Sequence, residues 1–164
     1  PSTQLFPGGK VAMITAGSWM AKTYADSGLK IDVAPLPKQV KNATIIHGLS
    51  NVVWSGTKHP EAAWEWVKFL GSQEAAQILA ESGTVIPAYE GMQDLWVKSV
   101  PGMNLQTFID ELQYAVPDPT AAKGMEWNTK VSETLGEVWM GNKSPDTMCA
   151  DAAAAANAVL SAAQ

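Results

Sequence analysis

The chain contains no arginine. Its 11 basic residues are all lysine, against 16 acidic ones, giving a net charge of −5 over 164 residues. The guanidinium fork that reads phosphates and base edges is absent, and the lysines form no cluster. Both facts argue against nucleic acid as a partner. With one cysteine, Cys149, no internal disulfide forms and a thiolate metal cluster lacks ligands. The two histidines, His47 and His59, stand at no metal-ligand spacing. No cofactor and no metal is expected. No apolar run reaches the roughly 18–20 residues that span a bilayer. A Gly-x-Ser-x-Gly elbow and a phosphate-cradling glycine loop are also missing, as is any internal repeat. Charged residues make up only 16% while hydrophobic ones make up 46%, which argues for a folded core rather than disorder. The length suits one domain.

What the chain does have is tryptophan, seven in all. The most informative stretch is Gly9-Lys10-Val11-Ala12-Met13-Ile14-Thr15-Ala16-Gly17-Ser18-Trp19. It reads as a short apolar strand running into a Gly-Ser turn, with Trp19 in the first turn of a helix. A strand end of this kind is where open α/β sheets hold ligands. Exposed helix N–H groups can donate to hydroxyls, and the electron-rich indole face can cover the C–H face of a sugar ring.

Along the rest of the chain, residues 1–7 read as a loop and 10–15 as a strand. Residues 18–27 read as a short helix closed by Gly28. A second strand is predicted over 30–35, ending at Pro35-Leu36-Pro37, and residues 38–42 form a polar link. Ile45-Ile46 and Asn51-Val52-Val53-Trp54 read as strands around the loop His47-Gly48-Leu49-Ser50. Pro60 opens the clearest helix, with Ala63, Val67 and Leu70 facing inward and Trp66 beside them. Ser72 caps a second helix that ends at Gly83. Residues 89–116 read as short helices broken by Gly91 and Pro101-Gly102, and Pro117-Asp118-Pro119 is a strong breaker. A helix over about 121–140 carries Trp127, Val131, Leu135 and Val138 on one stripe. Gly141 ends it. Ser144-Pro145 opens an alanine-rich last helix to about 162, expected to pack closely on a flat surface. Tryptophans 54, 64, 66, 96 and 139 read as packing residues.

Taken in order, several of these segments resemble the extracellular solute-binding proteins of ABC importers, in the carbohydrate-binding group that includes maltose-binding protein. The carriers are Phe6-Pro7-Gly8-Gly9-Lys10-Val11-Ala12-Met13 with Gly17-Ser18-Trp19, then Asp32-Val33-Ala34-Pro35-Leu36-Pro37. Gly48 follows, then His59-Pro60-Glu61-Ala62-Ala63-Trp64-Glu65-Trp66-Val67-Lys68-Phe69-Leu70, Ser72-Gln73-Glu74-Ala75-Ala76 and Gly83-Thr84-Val85-Ile86-Pro87. The resemblance covers nearly the whole chain. It implies the C-terminal part of a two-lobed α/β fold, helix-rich with a few short strands, that closes on a sugar by hinge motion. Residues 1 to about 42 and 117–164 would belong to one lobe, and about 44–110 to the other. A large N-terminal part would precede Pro1, with a lipid anchor there as one option. The location implied is extracellular or periplasmic, and the partners are a sugar and the membrane permease subunits. Cut off from that part, the chain would expose apolar edges that favour dimerisation. His47 stands where the family often has a second glycine, which narrows the pocket or adds a hydrogen-bonding group.

The resemblance implies six ligand-binding candidates, each with an alternative. Trp19 matches a sugar-stacking position, or is a core aromatic at a helix start. Ser18 donates to a hydroxyl, or caps a helix. His47 and Gly48 line the cleft, or form an ordinary loop. Glu126 accepts from two sugar hydroxyls, or is a solvated surface glutamate. Trp127 faces the cleft, or continues the core stripe. No catalytic residue is assigned, and the reading is non-enzymatic. Two carboxylate pairs, Glu111 with Asp118 and Glu126 with Glu133, keep a glycoside hydrolase as a lesser alternative. An interaction domain that binds no ligand is the other.

Overall fold

The computed structural model describes residues 2–117 and 123–162. It shows a helix-rich α/β chain with short strands, the class expected for part of a two-lobed binding-protein fold. The chain divides into two units, Pro1–Pro117 and Asp118–Gln164. The division falls at the predicted Pro117-Asp118-Pro119 breaker, of which Asp118 and Pro119 lie outside the described residues.

The first unit opens with α1 (Ser2–Leu5), where a loop was expected. Amides of Gly8 and Lys10 return to the carbonyls of Gln4 and Leu5 and close its end. A 3₁₀ turn (Ser18–Met20) leads into α2 (Ala21–Ala25), and Gly28 then takes a φ of 80°. After β1 (Thr44–Ile46) come α3 (Pro60–Leu70) and α4 (Gln73–Ser82). Pro60 sits in the first turn of α3, where its missing N–H costs nothing. Ser72 Oγ accepts from Ala75 N at 3.2 Å and caps α4, which Gly83 ends at a φ of 71°. Then follow α5 (Gln93–Val97), α6 (Gln106–Asp110), a 3₁₀ turn (Glu111–Tyr114) and β2 (Ala115–Pro117).

β1 and β2 pair in parallel, with Ile45 opposite Val116. The strands predicted over 10–15, 30–35 and 51–54 do not form: these segments have no ladder partner among the described residues. Apolar alternation favours an extended backbone, but a strand exists only where a second one meets it. Val33 in one of these segments still packs on the core.

That core is built around Trp96, which is fully buried with Leu105 and Ala80. Ala21 and Val100 complete it, and Phe108 meets the Trp96 ring edge to face at 5.9 Å. The alanine face of α4 leaves room for the large indole on α5. Trp96 is the one packing tryptophan of the five expected. Trp54, Trp64, Trp66 and Trp139 are 75%, 55%, 60% and 86% exposed. The causes are local. The half-buried positions of α3 are Ala63, Val67, Phe69 and Leu70. Trp64 is one position, about 100°, from the inward Ala63, and Trp66 stacks on its own helix neighbour Phe69 at 5.5 Å. Trp139 is the last residue of its helix, and Trp54 lies in a turn.

Asp32 ties the 30–35 segment to the turn after α5. Its Oδ1 accepts from Asn104 N at 2.7 Å and Val33 N at 2.8 Å. The bond from Asn104, then that from Val33, holds the carboxyl below its ordinary value. A lowered folded value means the ionised form is the stabilising one. The contribution is complete above the unfolded value of about 3.9 and is lost as pH falls through the lower folded value. Thermal melts from pH 7 to pH 2 should show the native chain and Asp32→Asn converging at the acid end, with the native chain more stable at neutral pH. A constant offset would mean the carboxylate charge has no part.

In the second unit, α7 (Gly124–Trp139) and α8 (Pro145–Ser161) pack as a helical hairpin. The predicted start of α7 at 121 lies outside the described residues. Gly141 turns the chain at a φ of 78°, and Ser144 Oγ caps α8 through Asp146 N at 3.1 Å. Lys143 pairs with Asp151 at 2.5 Å. The buried residues of α8 are Ala152 and Val159, one face at helical spacing, while much of the alanine run is exposed.

Candidate functional site

Gly17 takes φ −76° and ψ 159°, an ordinary extended conformation. Backbone freedom is therefore not why glycine stands there. A Cβ at that position would collide with Cη2, Cζ3 and Cζ2 of Trp19. Three adjacent ring carbons at near-equal distance mean that the ring face, not its edge, lies over the glycine. The 3₁₀ turn, closed by Met20 N on Gly17 O at 3.0 Å, folds the indole back to that position. Trp19 remains 49% exposed, so the core-aromatic reading of it does not hold.

Ser18 is half-buried and is the first residue of the turn. The cap position belongs to Gly17, which corrects the reading of Ser18 as a helix cap. The turn runs without a break into α2, so the helix expected over 18–27 is a helical segment from Ser18 to Ala25.

His47 follows β1 directly and is exposed. Its ring lies 5.8 Å from that of Trp19 at an interplanar angle of 71°, an edge-to-face pair. Two candidates far apart in sequence are thus neighbours. Gly48 is exposed, and a Cβ there would meet nothing within 4 Å. Neither crowding nor a positive φ requires glycine at that position.

Glu126 and Trp127 belong to the other unit. Glu126 lies in the first turn of α7, where its charge suits the helix dipole, and is 3.7 Å from Lys123 Nζ. Trp127 is half-buried, and its Nε1 is enclosed with no hydrogen-bond partner among the described residues. An open groove on the hairpin is lined by Met125, Asn128, Thr129, Ser132 and Glu133, and includes neither candidate. In the first unit a second groove runs between Leu29–Asp32 and Val100–Met103, and it too lacks Trp19 and His47.

The carboxylates of the hydrolase alternative have local partners. Glu111 Oε1 accepts from Leu36 N at 3.0 Å and Tyr114 Oη at 2.8 Å. Burial, reinforced by Glu111, raises the Tyr114 phenol above its ordinary value, so it stays a donor. Glu133 accepts from Lys130 at 2.8 Å and pushes that ammonium up. Asp118 lies outside the described residues. Among the described residues no three His, Cys, Asp or Glu side chains gather as metal ligands, and no helix is long and apolar enough to cross a membrane.

Sequence reasoning missed the part played by Gly17. A glycine two residues before an aromatic is the only signal for it, and the turn type decides whether the ring folds back.

Comparison with known proteins agrees with the solute-binding part of the resemblance and does not bear on the carbohydrate-binding group. Binding proteins of Brucella abortus (strain 2308) and Brucella suis biovar 1, named as such only provisionally, are each 23% identical to this chain. The match covers 95% of this chain and 39% of theirs, so the chain spans about two fifths of the length of these relatives. No solved structure matches. The family model described as bacterial extracellular solute-binding protein matches residues 2–104, well over half of the sequence. This chain therefore belongs to the bacterial extracellular solute-binding protein family.

Proposed function

We propose that the chain is the C-terminal part of a solute-binding protein that captures a sugar outside the cell membrane and delivers it to the permease of an ABC importer. The observation that carries this reading is Trp19. One indole face is backed by Gly17, and the ring is half open with His47 beside it. A held, exposed aromatic face fits the C–H face of a pyranose, and imidazole and hydroxyl groups nearby fit its hydroxyls. Trp19 stacks on the sugar, while Ser18, His47 and the open backbone at Gly48 make polar contacts. Glu126 and Trp127 are proposed as further ligand contacts. Residues 1 to about 42 and 117–164 lie in one lobe and about 44–110 in the other, and the lobes close over the ligand. Binding is non-enzymatic. An anchor on a preceding segment would hold the protein at the cell surface.

The exposed tryptophans 54, 64, 66 and 139 favour a second reading, an interaction domain without a small ligand. One experiment separates the two. Mono- and oligosaccharides of glucose, mannose, galactose and xylose are titrated while tryptophan fluorescence and melting temperature are followed. A saturable change with one sugar class, together with a rise in melting temperature, is expected. A folded protein that responds to none of them would remove the sugar assignment and leave the interaction reading.

A further inference from the structure

An exposed indole serves as a stacking surface only while its plane is held, and a tryptophan ring turns about its side-chain torsions. Gly17 restrains the Trp19 ring on one face, where a Cβ would collide with three of its carbons. That contact stops the ring from moving further toward the backbone. It does not stop the ring from swinging outward, and half of Trp19 faces solvent.

The second contact comes from His47. The ring centroids lie 5.8 Å apart with the planes at 71°, so the two rings meet edge to face. A parallel ring would take the place of a stacked ligand, whereas a near-perpendicular one touches through an edge. Each partner is anchored by its own backbone. His47 directly follows β1, whose last residue Ile46 stands opposite Pro117 in the parallel ladder. Trp19 lies in the turn that Met20 N closes on Gly17 O, and the next residue, Ala21, enters the core. Among the described residues, Trp19 is the one exposed tryptophan that meets an aromatic ring from another element. Trp66 meets only Phe69 of its own helix.

We propose that His47 is a positioning residue: its ring braces the Trp19 indole in the orientation on which a pyranose stacks. This rests on the sugar-binding reading of Trp19. The role acts through the indole and is separate from any hydrogen bond between the imidazole and the ligand. Bracing needs an aromatic ring at position 47, while a polar contact needs ring nitrogens. Phenylalanine keeps the first and loses the second; alanine loses both.

The test titrates the glucose, mannose, galactose and xylose panel into His47→Ala and His47→Phe, each with Trp19 present and in a Trp19→Ala background. With Trp19 present, His47→Phe should bind about threefold to tenfold more tightly than His47→Ala, the range of one aromatic pair. In the Trp19→Ala background the two should bind alike, because the ring at 47 has nothing left to hold. Near-ultraviolet circular dichroism reads the bracing without any sugar, as the difference between each chain and its Trp19→Ala counterpart. That indole signal should weaken in His47→Ala and persist in His47→Phe. Melting temperatures should stay unchanged, since both residues are exposed. Equal affinities of His47→Phe and His47→Ala with Trp19 present, or an undiminished indole signal in His47→Ala, would overturn the bracing. Neither result touches the sugar reading, which stands on the native chain's own titration. An advantage of phenylalanine that persists without Trp19 would make the ring a direct ligand contact and overturn the bracing as well. An indole signal that depends on the ring at 47, in a folded chain that binds no sugar of the panel, would support the bracing and remove the sugar reading.

Discussion

Trp19→Ala should lose at least about thirtyfold in affinity for the bound sugar while leaving stability nearly unchanged. The first half follows from the platform. An exposed indole held over Gly17 offers a free face, and truncating an aromatic anchor of this kind costs about 2 kcal/mol or more. The second half follows from exposure. Half of the Trp19 surface is already in water, so its removal leaves no sealed cavity, and changes of this kind stay within about 0.5 kcal/mol. Gly17→Ala is the companion variant, since its methyl group would occupy the space of the ring. It should reproduce the affinity loss with the tryptophan still present. Calorimetric titration with the sugar class found in the panel, beside a thermal melt, reads both quantities. A large drop in melting temperature with affinity unchanged would make Trp19 a packing residue.

What the sequence disclosed about the fold was mostly what is decided within a few residues. Pro60, Ser72, Gly83, Gly141 and Ser144-Pro145 act on their own turn of backbone, and the helices begin or end at each of them. Strands depend on partners far along the chain. Ile45-Ile46 was legible as a strand, but its partner Ala115-Val116-Pro117 is short, ends in proline and shows no alternation. The alternating segment Lys30–Pro35, which looks more like a strand, finds no ladder. Its aspartate reaches across to Asn104, and its Val33 packs on the core.

The site divides along the same line. Gly-Ser-Trp marks Trp19 as distinctive, yet nothing local says that His47 lies beside it. That contact depends on where β1 delivers the chain. The tryptophans show the limit of residue type as a guide. Trp96 and Trp54 read alike in sequence, and one is wholly enclosed while the other lies in a surface turn. Which face of a helix meets the core decides the first, and a closed turn on glycine decides the second.

Trp96→Ala should unfold the first unit, or bring it close to unfolding, at ambient temperature. Its ring is fully buried with Ala80 and Leu105, and Phe108 meets it edge to face at 5.9 Å. Replacing a buried tryptophan by alanine costs roughly 3–5 kcal/mol, because the transfer energy is lost and the space cannot fully collapse. A domain of this size holds about 5–15 kcal/mol in total, so the loss is a large share of it. Trp96→Phe separates the causes. Nε1 has no hydrogen-bond partner among the described residues, so the change to phenylalanine breaks no bond seen there and removes volume. It also relieves a buried donor of its unmet demand, which offsets part of the packing loss. Trp96→Phe should therefore keep more than half of the stability that Trp96→Ala loses. Urea unfolding followed by far-ultraviolet circular dichroism measures both. Equal losses in the two variants would mean that the indole N–H, through a contact absent from this fold, stabilises the core more than its volume does.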